Sequence, residues 1–111
     1  MKICVTSKGA GTDSVVEQRF GRSPYFVFVD SESSESKSVE NPLVNESGGV
    51  GPRAVQLIAG EGADVIITGQ TGGNATAALQ ASGMKVFAYN GTGTVAEAVA
   101  QYKEGGLRQL I

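Results

Sequence analysis

Short apolar runs separated by glycine-rich polar segments are the dominant pattern of the chain. Five runs have the length and the content of β-branched and aromatic residues that are typical of strands. They lie at residues 2–6, 25–30, 37–40, 64–68 and 85–89. The run at 64–68 is nearly continuously apolar, which indicates a strand covered on both faces in a parallel α/β sheet.

Helical spacing of apolar residues occurs mainly in the second half of the chain. Three predicted helices begin near Gly51, Asn74 and Thr94 and stop near Gly60, Gly83 and Gly105. The third carries a Thr-x-x-Glu capping box formed by Thr94 and Glu97. In the first half we expect only a brief turn or helix near residues 14–18, and a hairpin tip at the serine- and acid-rich segment 31–36.

This order of elements predicts one α/β domain over residues 1–111, with a mixed sheet and helices on both faces. In such a sheet, ligands bind where the carboxyl ends of strands meet helix N-termini. We therefore expect a site between the loops that follow the first and fourth strands, with the 48–51 segment as a mobile flap.

Composition narrows the function classes. The net charge of −2 lacks the basic excess of a nucleic-acid binder. The chain has no histidine, so the common hydrolytic triads cannot be built. A single cysteine, Cys4, excludes an intramolecular disulfide, and its apolar neighbours favour a core position over a thiolate ligand. Met1 and Lys2 lead directly into the first predicted strand, so we expect no export signal or membrane segment, and a cytoplasmic protein with neither nucleic-acid nor membrane partners.

The stretch from Arg19 to Phe26 is the strongest candidate for a functional site. Arg19 and Arg22 flank Gly21, so both guanidinium groups can be directed at one polyanion; two solvated surface arginines are the alternative. Residues 9–14 match a dinucleotide fingerprint incompletely, because serine stands at the third glycine position, and a plain loop is favoured. The glycines of 47–51 fit either ligand approach or a loop that caps the next helix.

Four segments together resemble the dinitrogenase iron-molybdenum cofactor biosynthesis family over essentially the whole chain. They are Arg19–Phe26, Gly48–Gly51, Ile67–Gly69 with Gly73–Ala75, and Gly93–Val95. The resemblance is to NifX-like and orange-protein-like members, small carriers or chaperones of metal–sulfur clusters. It implies a three-layer ribonuclease-H-like fold with a five-stranded sheet in the order 3-2-1-4-5, one strand being antiparallel.

The resemblance also implies a function and a site. The implied ligand is an anionic molybdenum- or iron-molybdenum-containing sulfide cluster. Many relatives read His-Phe-Gly-Arg where this chain has Arg19–Arg22, so the cluster is expected to bind here without histidine ligands. No catalytic residue and no direct metal ligand is assigned. The predicted cofactor-binding residues are Lys8, Arg19, Phe20, Gly21, Arg22, Gly48, Gly49, Gly51, Gly69, Gly72, Gly73 and Asn74.

The chain is thus expected to be a non-enzymatic carrier that serves a cofactor-assembly or acceptor protein. The alternative is a metal-free sensor domain for a small anion or nucleotide. A ribonuclease-H-type enzyme is disfavoured, because Asp13, Asp30 and Asp64 fall on a loop, a strand end and a strand start and form no carboxylate cluster.

Overall fold

The computed structural model describes residues 1–44 and 50–111. In these ranges its elements alternate in the way that the apolar pattern predicts, and every described helix lies after residue 49. They are β1 (Lys2–Ser7), β2 (Tyr25–Asp30), β3 (Ser36–Glu40), α1 (Val50–Gly60), β4 (Val65–Thr68), α2 (Gly73–Ser82), β5 (Lys85–Ala88), α3 (Val95–Lys103) and β6 (Arg108–Gln109).

The strands form one mixed sheet in the order β3-β2-β1-β4-β5-β6. β1 pairs in parallel with β4, and β4 with β5, whereas β2 is antiparallel to both β1 and β3. The predicted order of the first five strands is therefore confirmed. The predicted strand number is wrong, because β6 adds a sixth strand antiparallel to β5. With two residues, β6 is too short to show an alternating pattern. The ribonuclease-H-like label stays a prediction.

Two apolar cores lie on opposite faces of the sheet. On β1, Cys4 faces the core that α1 and α2 cover, whereas Ile3 and Val5 face the core covered by α3. This alternation follows from the two-residue period of a strand. Cys4 has no exposed surface, so its prediction as a core residue is confirmed. Burial, with a smaller contribution from the Glu61 carboxylate, raises the pKa of the Cys4 thiol.

The segment at residues 14–18 is extended, which corrects the option of a short helix there. Val16 forms an isolated bridge with Ser7, and Val15 forms one with Thr94. The Val16 amide donates to the Gly93 carbonyl at 3.1 Å, so its hydrogen bond goes to a distant loop rather than to a helical turn.

Other local predictions are confirmed. The Thr94 hydroxyl accepts from the Glu97 amide, and the Glu97 carboxylate accepts from the Thr94 amide, as a capping box requires. At the tip of the β2–β3 hairpin, Asp30 Oδ1 accepts from the amides of Glu32 and Ser33 at 2.8 and 3.0 Å. None of the helices in the described ranges is long and apolar enough to cross a membrane.

Candidate functional site

The loop that carries the two arginines is attached to β1 at both of its ends. At one end, the Glu17 amide donates to the Thr6 carbonyl at 2.9 Å, and the Thr6 hydroxyl donates to the Glu17 carbonyl at 2.6 Å. At the other end, the Ser7 amide donates to the hydroxyl of the fully buried Ser23 at 2.9 Å. Buried hydrogen bonds of this kind are costly to break, so the loop has a fixed backbone at both ends.

The middle of this loop pairs with the loop that follows β4. The Gln70 amide donates to the Gln18 carbonyl at 2.8 Å, and the Phe20 amide donates to the Gln70 carbonyl at 3.2 Å, which makes a parallel bridge between Arg19 and Gln70. Gly69 permits this approach, because a Cβ there would lie 2.6 Å from the Gln18 carbonyl oxygen. The predicted meeting of the loops after the first and fourth strands is thus present.

Phe20 gives the loop its orientation. Its ring is 1% exposed and packs on Phe26 with ring centroids 6.3 Å apart, whereas Arg19 and Arg22 on either side are exposed. The Ser23 amide closes a turn onto the Phe20 carbonyl at 3.5 Å. Burial of the ring therefore places both cations at the surface of the same loop.

Helices α1 and α2 begin beside these arginines. Their N-terminal turns are in close contact, since a Cβ on Gly51 would lie 2.9 Å from the Ala75 Cβ. Gly72 caps α2 without any side-chain hydrogen bond, and neither helix has an acidic residue in its first turn. Within the first turns of these two helices, therefore, no carboxylate offsets the partial positive charge of the helix ends and the first amides of α2.

These elements enclose a cleft of about 510 Å³, within the usual range for ligand pockets of about 300–1,000 Å³. Its described lining consists of Arg19, Phe20, Gly21, Arg22, Gly51, Pro52, Gln70, Thr71, Gly72, Gly73, Asn74 and Ala75. Most of the predicted site residues are in this set. Lys8 and Gly69 are not among the described lining residues. Gly48 and Gly49, which are half of the predicted flap, lie outside the described residues, and the other half, residues 50–51, begins α1.

Four lining residues were missed by sequence reasoning: Pro52, Gln70, Thr71 and Ala75. Each is adjacent along the chain to a glycine or asparagine that was predicted. The segments 51–52 and 70–75 line the cleft without interruption, so their continuity along the chain could have identified these four residues. The prediction selected only glycines and one asparagine in these segments because it was based on residue type.

The two arginines differ in their surroundings. Arg22 Nη1 donates to the Val44 carbonyl at 3.5 Å. Arg19 Nε lies 3.6 Å from Glu17 Oε2, and the Arg19 side chain is 63% exposed. In residues 1–44 and 50–111, no group of three or more Cys, Asp or Glu side chains is placed to hold a metal ion. Among the described lining residues, the charged groups are the two guanidinium groups, and together with the helix N-termini they can bind an anion.

Comparisons with known proteins agree on one group of relatives. The sequence model of the family described as dinitrogenase iron-molybdenum cofactor matches residues 1–105. The apo form of the orange protein from Desulfovibrio gigas is 38% identical, with a TM-score of 0.93 over 97% of this chain and 91% of that chain. The NMR structure of a candidate NifB protein from Thermotoga is 36% identical, with a TM-score of 0.86 over 98% and 92% of the two chains.

A more distant structure shows the same fold. A candidate dinitrogenase from Methanocaldococcus jannaschii is 17% identical, with a TM-score of 0.70 over 99% of this chain and 94% of that chain. No curated protein sequence is similar enough to count as a match.

Proposed function

The chain belongs to the dinitrogenase iron-molybdenum cofactor family, and from this premise we propose that it is a non-enzymatic binding or carrier protein for an anionic metal–sulfur cluster. The cargo is an iron-molybdenum cofactor precursor or a related molybdenum sulfide cluster. The protein acts in the cytoplasm and passes the cluster to a cofactor-assembly or acceptor protein.

The observation that supports this proposal best is the convergence of two guanidinium groups and two helix N-termini on one cleft. Each of these features favours an anion, and together they surround it from different sides. A cluster whose metals are already saturated by sulfide presents only sulfur to the protein. Such a cargo needs hydrogen-bond donors and positive charge rather than histidine or cysteine ligands.

The walls of the cleft suit a weakly hydrated anion. The half-buried Pro52 contributes apolar surface to the lining, and a guanidinium is itself more weakly hydrated than an ammonium. Sulfide clusters carry diffuse charge and lose less hydration free energy than small oxyanions when they enter such a cleft. Arg19 and Arg22 would bind the cluster by charge-assisted hydrogen bonds, and the Gly72–Asn74 backbone would add N–H donors.

Anaerobic titration with tetrathiomolybdate, followed by visible absorption and calorimetry, tests the proposal. A hydrogen bond to a charged group contributes about 1.5–3 kcal/mol, and both arginines are exposed, so Arg19→Gln and Arg22→Gln should each weaken binding roughly tenfold. Arg108→Gln is the matched control, because Arg108 is an exposed arginine on β6 outside the cleft. Affinities that are equal in all three variants would contradict the site.

A metal-free sensor for a small anion or nucleotide is the second candidate. The start of α2, which has no side-chain cap and follows the glycine-containing segment 69–72, is also the kind of structure that binds phosphate. The same titration with ATP and with inorganic phosphate separates the two functions. Tighter binding of either phosphate ligand than of tetrathiomolybdate would favour the sensor.

A further inference from the structure

Glu17 is a nearly buried carboxylate beside the cleft, and the proposed function gives it no role. The residue is 7% exposed, and its backbone is held by the two hydrogen bonds to Thr6. Its side chain makes both of its described contacts to one residue: Oε2 accepts from the Arg19 amide at 3.2 Å and lies 3.6 Å from Arg19 Nε. A carboxylate is seldom buried without a specific partner. Arg19 is that partner for Glu17, and the question is what the contact does for Arg19.

Glu17 contacts the Arg19 guanidinium on the side away from the cleft. Arg19 lines the cleft and Glu17 does not, so the carboxylate contacts the arginine from outside the cleft. The contact uses the Nε edge of the guanidinium. No described residue forms a hydrogen bond with the Nη groups of Arg19, which are therefore available to a ligand.

We propose that Glu17 is the positioning residue of Arg19. Its carboxylate fixes the Nε edge of the guanidinium in the ligand-free protein, so that the two Nη groups are directed at the anion. This inference rests on the proposed function, because the anion is the one that Arg19 binds there. An arginine side chain that is 63% exposed otherwise loses rotamer entropy when a ligand orders it, and Glu17 reduces that loss before the ligand arrives.

Electrostatic repulsion between the Glu17 carboxylate and the bound anion is the competing effect. A carboxylate near an anion site repels the anion directly, and its removal would then tighten binding. The two effects have opposite signs in the wild-type background. They also differ in a protein without Arg19, because positioning requires the arginine and direct repulsion does not.

A double-mutant cycle with tetrathiomolybdate as the probe separates them. Glu17→Gln should weaken binding about two- to fivefold, the range of a partly exposed charge pair, and should not weaken it in the Arg19→Gln background. Glu17→Asp keeps the charge but shortens its reach, and it should weaken binding as Glu17→Gln does. Unchanged or tighter binding by Glu17→Gln in the wild-type background would overturn the proposal.

A second measurement does not depend on any cluster. In the ligand-free protein, the Nε–H proton of Arg19, followed by nuclear magnetic resonance, should exchange with water more slowly in the wild-type protein than in Glu17→Gln and Glu17→Asp. Equal exchange in all three proteins would refute the positioning role even if binding fails. Absence of tetrathiomolybdate binding by the wild-type protein, with the exchange difference present, would instead reject the proposed function alone.

Discussion

Substitution of Gly69 by alanine should separate the two loops that build the cleft. Gly69 is buried where the loop after β4 passes the arginine loop. A Cβ at this position would lie 2.6 Å from the Gln18 carbonyl oxygen and 2.8 Å from the Gln18 Cα. Both are backbone atoms, so a change of side-chain rotamer cannot relieve the contact, and the loops themselves have to move.

The magnitude follows from these distances. A carbon–oxygen contact of about 3.5 Å requires a retreat of roughly 0.9 Å. The hydrogen bond from the Gln70 amide to the Gln18 carbonyl, now 2.8 Å long, would then exceed the length of a good bond. Overpacking costs about 1–3 kcal/mol and the lost bond about 1 kcal/mol, so Gly69→Ala should destabilise the fold by about 2–4 kcal/mol. That is a large part of the roughly 5–15 kcal/mol of a typical domain.

Urea unfolding at neutral pH measures the change in the free energy of unfolding. Gly60→Ala is the matched control, because a Cβ on Gly60 meets no atom within 4 Å and the residue ends α1 far from the cleft. The control should be neutral or slightly stabilising, by up to about 1 kcal/mol. A loss below about 0.5 kcal/mol for Gly69→Ala, within the range of ordinary surface substitutions, would refute the close-packing argument. Tetrathiomolybdate affinity should fall with Gly69→Ala and stay unchanged with Gly60→Ala.

Three further predictions concern residues outside the cleft. Cys4→Ala should keep any bound cluster and lower the free energy of unfolding by about 1 kcal/mol, because Cys4 packs in the core; loss of a cluster chromophore from a folded variant would contradict this. Amide hydrogen bonds from Ser33 and Glu32 hold the pKa of Asp30 below its ordinary value, which is about 3.9. The stability contributed by Asp30 is therefore present above about pH 4 and lost as the pH falls through the lower pKa of the folded state. Urea unfolding between pH 2 and 6 should show a smaller acid loss for Asp30→Asn, and equal pH profiles would exclude the effect. Thr94→Ala should cost about 1 kcal/mol through loss of the α3 cap, whereas Thr94→Ser should retain most of the stability; equal losses would argue against capping.

The sequence predicted most of the fold because its elements carry strong local signals. The alternation of Ile3, Cys4 and Val5 sets opposite faces of β1, and strand geometry makes that assignment without any tertiary information. Glycine after the α2 helix gave a correct boundary, since Gly83 takes the left-handed conformation at its C-cap. The extended segment at 14–18 and β6 were missed, because each is defined by a few pairings with distant residues.

The candidate site was predicted less completely. The spacing of Arg19 and Arg22 around Gly21 identified them as a cation pair, and the predicted strand order placed the loop after β4 near them. The sequence pattern did not identify Gln70 or Thr71, whose place in the cleft depends on the bridge to Arg19. Nor did it give Glu17 a role, because an isolated glutamate in a polar loop resembles any solvated acid.

What the sequence by itself determined is the order of the elements, the faces they bury and the presence of two cations next to a glycine turn. These features depend on residue type and on neighbours within a few positions. Only the tertiary structure decided that both helix N-termini open beside Arg22 and that Glu17 contacts Arg19 from outside the cleft. Those relations join segments far apart in the chain, and they are fixed by strand register and by the close packing of Gly51 and Gly69. A local pattern of apolar and polar residues does not specify such distances, because many registers and crossovers satisfy the same pattern.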